Sequence, residues 1–481
     1  MMSEALFYDV VKSAAQFYEN FQKLIKSEEV RQYAALHKSD FTRNRLLPPE
    51  VVINLMIYRF GKTLEHDLSQ TFPKIVPKIV EPTKQAYHKA LKKINPEVFR
   101  YIIKEMIKMF YKTNLVKLYK NYLVLAMDGT FIQVPTTPYN INYYGFYPGG
   151  NCTCPADVEK IVSKSGAIYD VLNGVFLDFQ MRYATTSELN IAYPQIGRVN
   201  TIIPDHFSKI ILADRYYPSV ELFYYLKMNN FDFCIRGKSN YFKEQVNNID
   251  DDGWINIELN DCWLKRFKNS EIREYTRENP HLKLRVVKNH YTYTGKQDNV
   301  DTVSSFYFTS LPEEVFTTQE VIDLYKSRWM LEVGFRNYKV SLEAERVNSK
   351  FQNIIESRVY SRIVTYNLIW ILKKEIDYLL KDKKTQKYSH HICKADVIIQ
   401  KFLTGNFLLY IVQKEQQQLE EEILLLIQAG VKKTIPVREN RHEKRYGRFI
   451  KGTFHYRFSM DGRPFPRTIK HKGGMLTVGY K

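Results

Sequence analysis

The segment from 121 to 134, NYLVLAMDGTFIQV, limits most strongly what this chain can fold into. It is an apolar run rich in strand-forming residues, and a single acid, Asp128, stands near its middle. A second apolar strand pattern, KIILAD, ends in another acid, Asp214. A buried carboxylate is unfavourable unless it is paired or bound to a metal ion. Either acid alone is typical of an ordinary strand end, but two on neighbouring strands indicate a functional site.

The segments between and after these two strands predict a mixed sheet. GAIYDVLNGVFLDFQMRY predicts two short strands joined by a turn at Asn173-Gly174. Helical patterns (SELNIAYPQIGRV and SVELFYYLKMNN) then alternate with the strands KIILAD and FDFCIRGKSN. A three-strand meander followed by alternating helices and strands predicts an α/β fold with helices packed on a mixed sheet.

The regions around this pattern differ from it. Residues 1–118 have helical periodicity, and 241–312 predict short strands joined by polar loops. Residues 376–481 predict helices followed by a basic tail. We therefore expect a core sheet made of 119–240 and 313–375, with 241–312 as a β-rich insertion.

Two basic segments have two interpretations each. Residues 83–110 predict a basic amphipathic helix, which suits either DNA binding in a helix-turn-helix-like arrangement or packing with a solvated basic face. Residues 438–481 hold 12 Lys and Arg against 3 Asp and Glu. They predict either an irregular phosphate-facing tail or a basic end without a specific role.

The charge balance favours a polyanionic partner. Lys and Arg number 71 and Asp and Glu 52, so the net charge is 71 − 52 = +19. An excess of this size favours nucleic acid, and a soluble protein that is simply basic is the alternative.

The cysteines and the hydropathy indicate a reducing compartment. Five cysteines do not make a disulfide framework, and Cys152 with Cys154 forms a lone C-x-C. His390, His391 and Cys393 form only a weak zinc-site pattern. No run of 18 apolar residues predicts a membrane span, and the first residues do not resemble a signal peptide. We therefore expect a cytoplasmic protein with no membrane partner.

The segment IDLYKSRWMLEVGFRNYKVSLEAERV brings a third acid into the pattern. On a helix at ~100° per residue, its polar residues fall within roughly 60° of one another. These residues are Tyr325, Arg328, Glu332 and Lys339. An adjacent apolar stripe is formed by Leu324, Leu331, Phe335, Tyr338 and Leu342. Such a helix can pack on a sheet and hold one polar edge over a site for metal and phosphate, or can simply carry intrahelical ion pairs.

Three acids of this kind suit phosphodiester chemistry. Cleavage with two metal ions needs several carboxylates around ions ~4 Å apart. We therefore expect Asp128, Asp214 and Glu332 to be catalytic metal ligands. Ligands that are all oxygen favour Mg²⁺ or Mn²⁺ over zinc.

The same residues resemble a known family, the insertion-sequence group-four (IS-four) transposases. The signature Y-x2-R-x3-E-x6-K of that family stands intact from Tyr325 to Lys339. Asp128-Gly129-Thr130 is similar to its first acid region, and Asp214-Arg215-Tyr216-Tyr217 is similar to its D-R-G-Y region, with Tyr216 in the place of glycine. TTSELN and the Trp329 after Arg328 are further similarities. The resemblance covers roughly residues 120–365.

The resemblance implies a DDE transposase with a helical DNA-end-binding region in 1–118, a ribonuclease-H-like catalytic core in 119–240 and 313–375, and a β-rich insertion between the second Asp and the Glu. Members of the family excise an element through a hairpin at its end and join it to target DNA. They work as a dimer in which each subunit cuts the DNA end held by the other. A domesticated or inactive relative, acting as a DNA-binding protein or a simple nuclease, is the alternative. A transposase of this family implies a prokaryotic, nucleoid-associated protein.

The resemblance also implies DNA contacts. Tyr325, Arg328 and Lys339 would contact phosphates and a flipped nucleotide near the cut. Base flipping needs an aromatic pocket, for which Trp254 and Trp263 are candidates, with burial in the core as their alternative. Three cations that follow strand ends either face DNA or are plain surface charges: Arg215, Arg236 and Lys238.

Overall fold

The computed structural model describes most of the chain. The described residues are 4–43, 46–58, 63–77, 79–146, 160–294, 300–380, 391–393, 398, 416–436, 468–471 and 474–477. The chain divides into two units, residues 1–437 and residues 438–481. In the second unit, the strands Thr468–His471 and Gly474–Thr477 pair antiparallel. Most of the basic tail lies outside the described residues, as do Cys152, Cys154 and His390. The side chains of His391 and Cys393 also lie outside them.

The first unit is built on one mixed sheet of eight strands, in the order β3-β2-β1-β4-β5-β8-β7-β6. The strands are β1 (Tyr122–Gln133), β2 (Val162–Asp170), β3 (Val175–Arg182), β4 (Ser208–Ala213), β5 (Asp232–Arg236), β6 (Asp252–Glu258), β7 (His281–Thr294) and β8 (Val300–Thr309). β1, β4 and β5 run parallel, and the other neighbours pair antiparallel. The predicted fold class, a ribonuclease-H-like mixed α/β sheet, is confirmed.

The predicted hairpin between β2 and β3 is confirmed. Its turn contains Gly174 at φ 75°, a left-handed conformation that glycine adopts without strain. The buried carboxylate of Asp170 accepts hydrogen bonds from the backbone N–H groups of Leu172 and Asn173. The hydroxyl of Tyr111 donates to the same carboxylate at 3.0 Å. These bonds fix the turn against the helical part of the chain.

Helices surround the sheet. They are α1 (Glu4–Ile25), α2 (Glu28–Ala34), α3 (Pro49–Ile57), α4 (Leu64–Ile75), α5 (Lys84–Leu91), α6 (Glu97–Phe110), α7 (Pro138–Tyr144), α8 (Glu188–Asn200), α9 (Val220–Met228), α10 (Lys243–Asn247), α11 (Asp261–Leu264), α12 (Ser270–Glu278), α13 (Thr318–Lys326), α14 (Trp329–Arg336), α15 (Gln352–Leu379) and α16 (Gln416–Lys432). The long helix α15 packs on β3, α3 and α6. Asn367 on α15 pairs with both backbone groups of Phe176 at 2.8 Å, so this helix is joined to the sheet.

The basic segment 83–110 forms two helices, α5 and α6, instead of the single predicted helix. Pro96 stands at the N-cap of α6, because proline suits a helix start and not a helix interior. The apolar face of α6 is buried against α15 and β3. Arg100 on α6 pairs with Glu97 and Asp178. The structure therefore favours the packed-helix interpretation of α6.

The strands expected in 241–312 form, and they join the core sheet. β8 pairs with β5, and β7 and β6 extend the sheet from there. The region also contains α10, α11 and α12 between its strands. The Arg285 guanidinium on β7 donates to Asp252 at 2.6 Å and to the Phe316 carbonyl at 2.7 Å, which ties this region to the start of α13.

The prediction of one straight helix through 325–339 is wrong. α13 ends at Lys326, α14 begins at Trp329, and a π-helical turn follows at Asn337–Ser341. The break occurs because the N–H groups of Ser327 and Arg328 bond three residues back, which tightens the turn. The predicted apolar stripe is nevertheless buried along its whole length.

No helix within the described ranges has the length and hydropathy needed to cross a membrane.

Candidate active site

Asp128 and Asp214 lie at the same level of two neighbouring parallel strands. The register pairs Met127 on β1 with Ala213 on β4, and each acid is the next residue. β1 continues past Asp128 because β2 still pairs with it there, whereas β4 ends at Ala213. The sheet therefore brings together two acids that are 86 residues apart in the chain.

Arg328 connects the third predicted acid to this pair. Its Nη1 donates to Oδ2 of Asp128 at 2.8 Å, and its Nη2 donates to Oε1 of Glu332 at 2.7 Å. The break between α13 and α14 places Arg328 at the N-cap of α14, and Glu332 lies in the first turn of that helix. The guanidinium therefore forms a bridge between a strand carboxylate and a helix carboxylate.

The electrostatics of the two aspartates favour an additional positive charge. The pKa of Asp128 is raised from 3.8 to about 6, mainly by burial; the Arg328 charge opposes this rise, and the Asp214 charge contributes to it. Burial also raises the pKa of Asp214, whose Oδ1 accepts a hydrogen bond from the backbone N–H of Tyr216 at 2.8 Å. Both carboxylates therefore have a stronger affinity for protons or cations than an exposed aspartate has.

Two other signature residues lie around Arg328. The Tyr325 ring centroid is 5.9 Å from the Arg328 guanidinium carbon and 4.4 Å from the Tyr307 ring. The ammonium group of Lys339 donates to the Phe131 carbonyl on β1 at 2.6 Å and lies 3.5 Å from Glu345. Burial lowers the pKa of Lys339. Arg328 and Lys339 thus contact β1, whereas Tyr325 lies against Tyr307 of β8, and the four signature residues do not share one helix.

The three cations after the strand ends have different surroundings. Arg236 is close enough to Tyr325 for its charge to lower the pKa of that phenol, which burial raises. Arg215 is exposed, and Lys238 is half-buried. Tyr216, which replaces the expected glycine, needs no positive φ. The turn after Asp214 therefore accepts a bulky residue without strain.

The two candidate tryptophans are half-buried and lie in 241–312. Trp263 packs on the core beside Phe242, at 5.9 Å between ring centroids. Trp254 on β6 has the Lys283 ammonium 4.5 Å from its ring. Neither tryptophan contacts Asp128, Asp214 or Glu332 through a described bond.

A fourth acid, Glu188, was missed by the sequence reasoning. It begins α8, and its charge raises the pKa of both Asp128 and Asp214. Its Oε1 accepts from the Lys164 ammonium at 2.5 Å. A Cβ placed on Gly129 would overlap the Glu188 carboxylate, with Cδ only 2.8 Å away. The motif TTSELN contained this residue, but an acid in the first turn of a helix is ordinary and gave no separate signal.

The donor chemistry at this edge of the sheet fits a hard divalent cation. Carboxylate oxygens are the ligands that Mg²⁺ and Mn²⁺ prefer, and the two aspartates are already adjacent. Within the part of the chain that the structure describes, no three His, Cys, Asp or Glu side chains are close enough to hold one ion. The Glu332 carboxylate faces Arg328 instead.

Comparison with known proteins agrees with this geometry. A family model described as the transposase DDE domain matches residues 119–368, which include all three predicted acids. The chain is 24% identical over 360 residues to the transposase for insertion sequence element IS231F of Bacillus thuringiensis subsp. israelensis, over 67% of this chain and 70% of the relative. It is 23% identical over 339 residues to the transposase for insertion sequence element IS231E of Bacillus thuringiensis subsp. finitimus, over 63% of this chain and 66% of the relative. A solved structure of a piggyBac transposase synaptic complex with hairpin DNA aligns with 92% of this chain and 87% of its own, at 10% identity and a TM-score of 0.42.

Proposed function

We propose a function from one premise: the chain belongs to the DDE transposase family, as its motifs predicted and as the match over residues 119–368 shows. The proposal is that it cleaves the DNA ends of a mobile element and joins them to target DNA by metal-dependent phosphoryl transfer. The observation that carries it is the register of β1 and β4, which sets Asp128 beside Asp214. The Arg328 guanidinium bonds to both Asp128 and Glu332, and so connects the third acid to this pair.

Asp128, Asp214 and Glu332 would hold the divalent ions. Bound there, Mg²⁺ or Mn²⁺ supplies Lewis-acid activation of the attacking water or 3′-hydroxyl and stabilises the leaving oxygen. To join the aspartates in holding an ion, Glu332 would give up its bond to Nη2 of Arg328 and turn towards them. That release would leave Nη2 of Arg328 free to donate a charge-assisted hydrogen bond to a DNA phosphate.

Cations and aromatic rings around the acids would hold the DNA. Lys339 and Tyr325 are proposed to contact phosphates near the cut, since Lys339 bonds to β1 at Phe131 and the Tyr325 ring lies beside Arg328. Arg236 ends β5, and Arg215 and Lys238 follow the ends of β4 and β5; all three are proposed phosphate contacts at the same edge. Trp254 and Trp263 are proposed contacts of DNA that crosses the strands of 241–312.

The finer steps are proposed from the family resemblance. The element end forms a hairpin during excision, and two copies of the chain act together, each cutting the end that the other holds. Denaturing gels resolve a hairpin product from a simple nick. Analytical ultracentrifugation with and without end DNA reports whether the DNA brings two copies together.

The direct test measures cleavage of DNA duplexes that carry the inverted repeats flanking the gene. Asp128→Asn, Asp214→Asn and Glu332→Gln are expected to abolish cleavage in Mg²⁺ and to retain DNA binding. Asp323→Asn is the matched control, because Asp323 is an exposed acid on α13 whose partners, Lys326 and Gln319, lie on the same helix. Normal cleavage by any of the three variants, or cleavage by the parent protein in EDTA, would contradict the proposal. Binding without any cleavage by the parent protein would support the alternative of an inactive relative.

A further inference from the structure

The edge of the sheet beside Asp214 carries an exposed aromatic ring flanked by two cations. The Tyr216 side chain is 60% exposed. Its ring centroid lies 5.5 Å from the Arg215 guanidinium carbon and 5.6 Å from the Lys238 ammonium nitrogen. The cluster forms because β4 and β5 are parallel neighbours, so the residues that follow them meet at one edge.

The backbone under this cluster is held firmly. The N–H of Tyr216 donates to Oδ1 of Asp214, and the N–H of Tyr217 donates to the Asp214 carbonyl at 3.2 Å. The Tyr217 side chain is buried directly after the exposed ring. On the β5 side, the N–H of Gly237 donates to the Phe306 carbonyl at 2.8 Å. The position of the Tyr216 ring is therefore tied to that of the Asp214 carboxylate.

The exposed Tyr216 ring is suited to binding a ligand. Tyr216 and Tyr217 are adjacent, yet the fold buries the second and leaves the first in solvent. A large exposed ring offers a π-face on which a nucleobase can stack, whatever the base is. Cations at its border suit the phosphates on either side of a stacked base. Trp263, by contrast, already packs on the core.

We propose that Tyr216 is a base-stacking residue. An unpaired base next to the scissile phosphate stacks on its ring, while Arg215 and Lys238 pair with the flanking phosphates. The proposal rests on the proposed function, because it takes DNA as the substrate of the Asp128–Asp214 site. It adds that this chain carries an aromatic stacking surface at Tyr216, where the D-R-G-Y motif of the family that it resembles has glycine.

The test uses full-length protein and end oligonucleotides with 2-aminopurine at successive positions around the cut. It is carried out in an Asp128→Asn background, so that the DNA stays intact. Stacking on Tyr216 is expected to quench one position, and Tyr216→Ala is expected to restore its fluorescence and to weaken binding of that DNA about 10-fold. Tyr216→Trp is expected to retain both the quenching and the affinity, whereas Tyr216→Leu, apolar but without a π-face, is expected to lose them. Tyr8→Ala is the matched control, since the Tyr8 side chain on α1 is 58% exposed.

Two results would overturn the stacking role. One is unchanged fluorescence and affinity in Tyr216→Ala. The other is an equal loss of affinity for a fully paired duplex without an end, because stacking needs an unpaired base. Either result leaves the proposed function intact if the parent protein still cleaves in an Asp128-dependent manner. A parent protein that does not cleave would instead contradict the proposed function.

Discussion

Nη1 of Arg328 lies 2.8 Å from Oδ2 of Asp128, although 200 positions separate the two residues in the chain. The second arm of the same guanidinium holds Glu332. Arg328 therefore joins the helix that carries Glu332 to the strand that carries Asp128. Its planar fork is suited to this role because it donates in two fixed directions at once.

Arg328→Lys is expected to reduce the single-turnover rate of end cleavage about 100-fold, the effect of losing one well-placed donor in a catalytic site. A single ammonium cannot reach Asp128 and Glu332 in the same geometry. Arg336→Lys, an exposed arginine at the end of α14, is the control. Parent-like cleavage by Arg328→Lys would show that the bridge has no catalytic consequence.

The raised pKa of Asp128 predicts a pH-dependent stability. This carboxyl has a pKa of about 6 in the folded chain and 3.8 as its ordinary value. The folded state therefore binds the proton more tightly, so this group lowers stability as pH rises from ~4 to ~6. Asp128→Asn removes this pH-dependent loss of stability, which amounts to at most about 3 kcal/mol. The melting temperature of the variant minus that of the parent is expected to increase between about pH 4.5 and pH 7.5.

The distant carboxyls Glu356 and Glu375, with pKa values of about 7 and about 8, titrate in both proteins, so the comparison reports on Asp128 and on Asp214, whose charge interacts with it. A difference in melting temperature that stays constant or decreases with pH would contradict the assignment.

Divalent ions are expected to stabilise the folded chain. An ion that binds only the folded state adds about 2.7 kcal/mol at 100 times its dissociation constant. Mn²⁺ should therefore raise the melting temperature of the parent protein, and the effect should diminish below a pH of about 6, where Asp128 takes up a proton. Asp214→Asn is expected to lose the effect, and Asp323→Asn to keep it. Equal Mn²⁺ shifts in all three proteins would place the bound ion elsewhere.

Gly129→Ala is expected to impair cleavage while the chain stays folded. The added methyl group would overlap the Glu188 carboxylate, which must then move away from Lys164 and the two aspartates. Gly197→Ala on α8 is the control, since the nearest atom there is a tyrosine hydroxyl 3.1 Å away. Glu188→Ala added to Gly129→Ala removes the overlap. If that double variant is no more stable than Gly129→Ala alone, the contact is not the cause.

Arg285→Ala is expected to destabilise the chain by about 3–5 kcal/mol, because it leaves the partner of a buried charge unpaired. The arginine is 1% exposed and donates to Asp252 and to the Leu311 and Phe316 carbonyls. Lys283→Ala, two residues away and exposed, is expected to change stability by less than about 0.5 kcal/mol. Chemical denaturation measures both, and a small loss in Arg285→Ala would contradict the argument.

The order of the core elements was predictable because it depends on local patterns. The hairpin at Gly174, the strand that carries Asp128 and the strand that ends before Asp214 each have a signal within ten residues. The break at Ser327 was not predictable from periodicity, because an apolar stripe tolerates a tightened turn that keeps its residues buried. The close approach of Gly129 and Glu188 was also not predictable, because the two residues belong to separate sequence motifs that only the folded chain brings together.

The strand with which β8 pairs was also not predictable from the sequence. Alternating residues predict a strand but do not say which strand it pairs with. The structure pairs β8 with β5, so 241–312 continues the core sheet.

That shared sheet has a consequence for how the first unit unfolds. A region joined to the core only through flexible linkers would melt as a separate calorimetric transition. Here the ladder from β3 to β6 is continuous, so the amide protons of β7 should exchange with solvent at the same opening free energy as those of β4. The cooperative unit therefore extends across the whole sheet, and the residues that would grip DNA unfold together with the residues that would cut it.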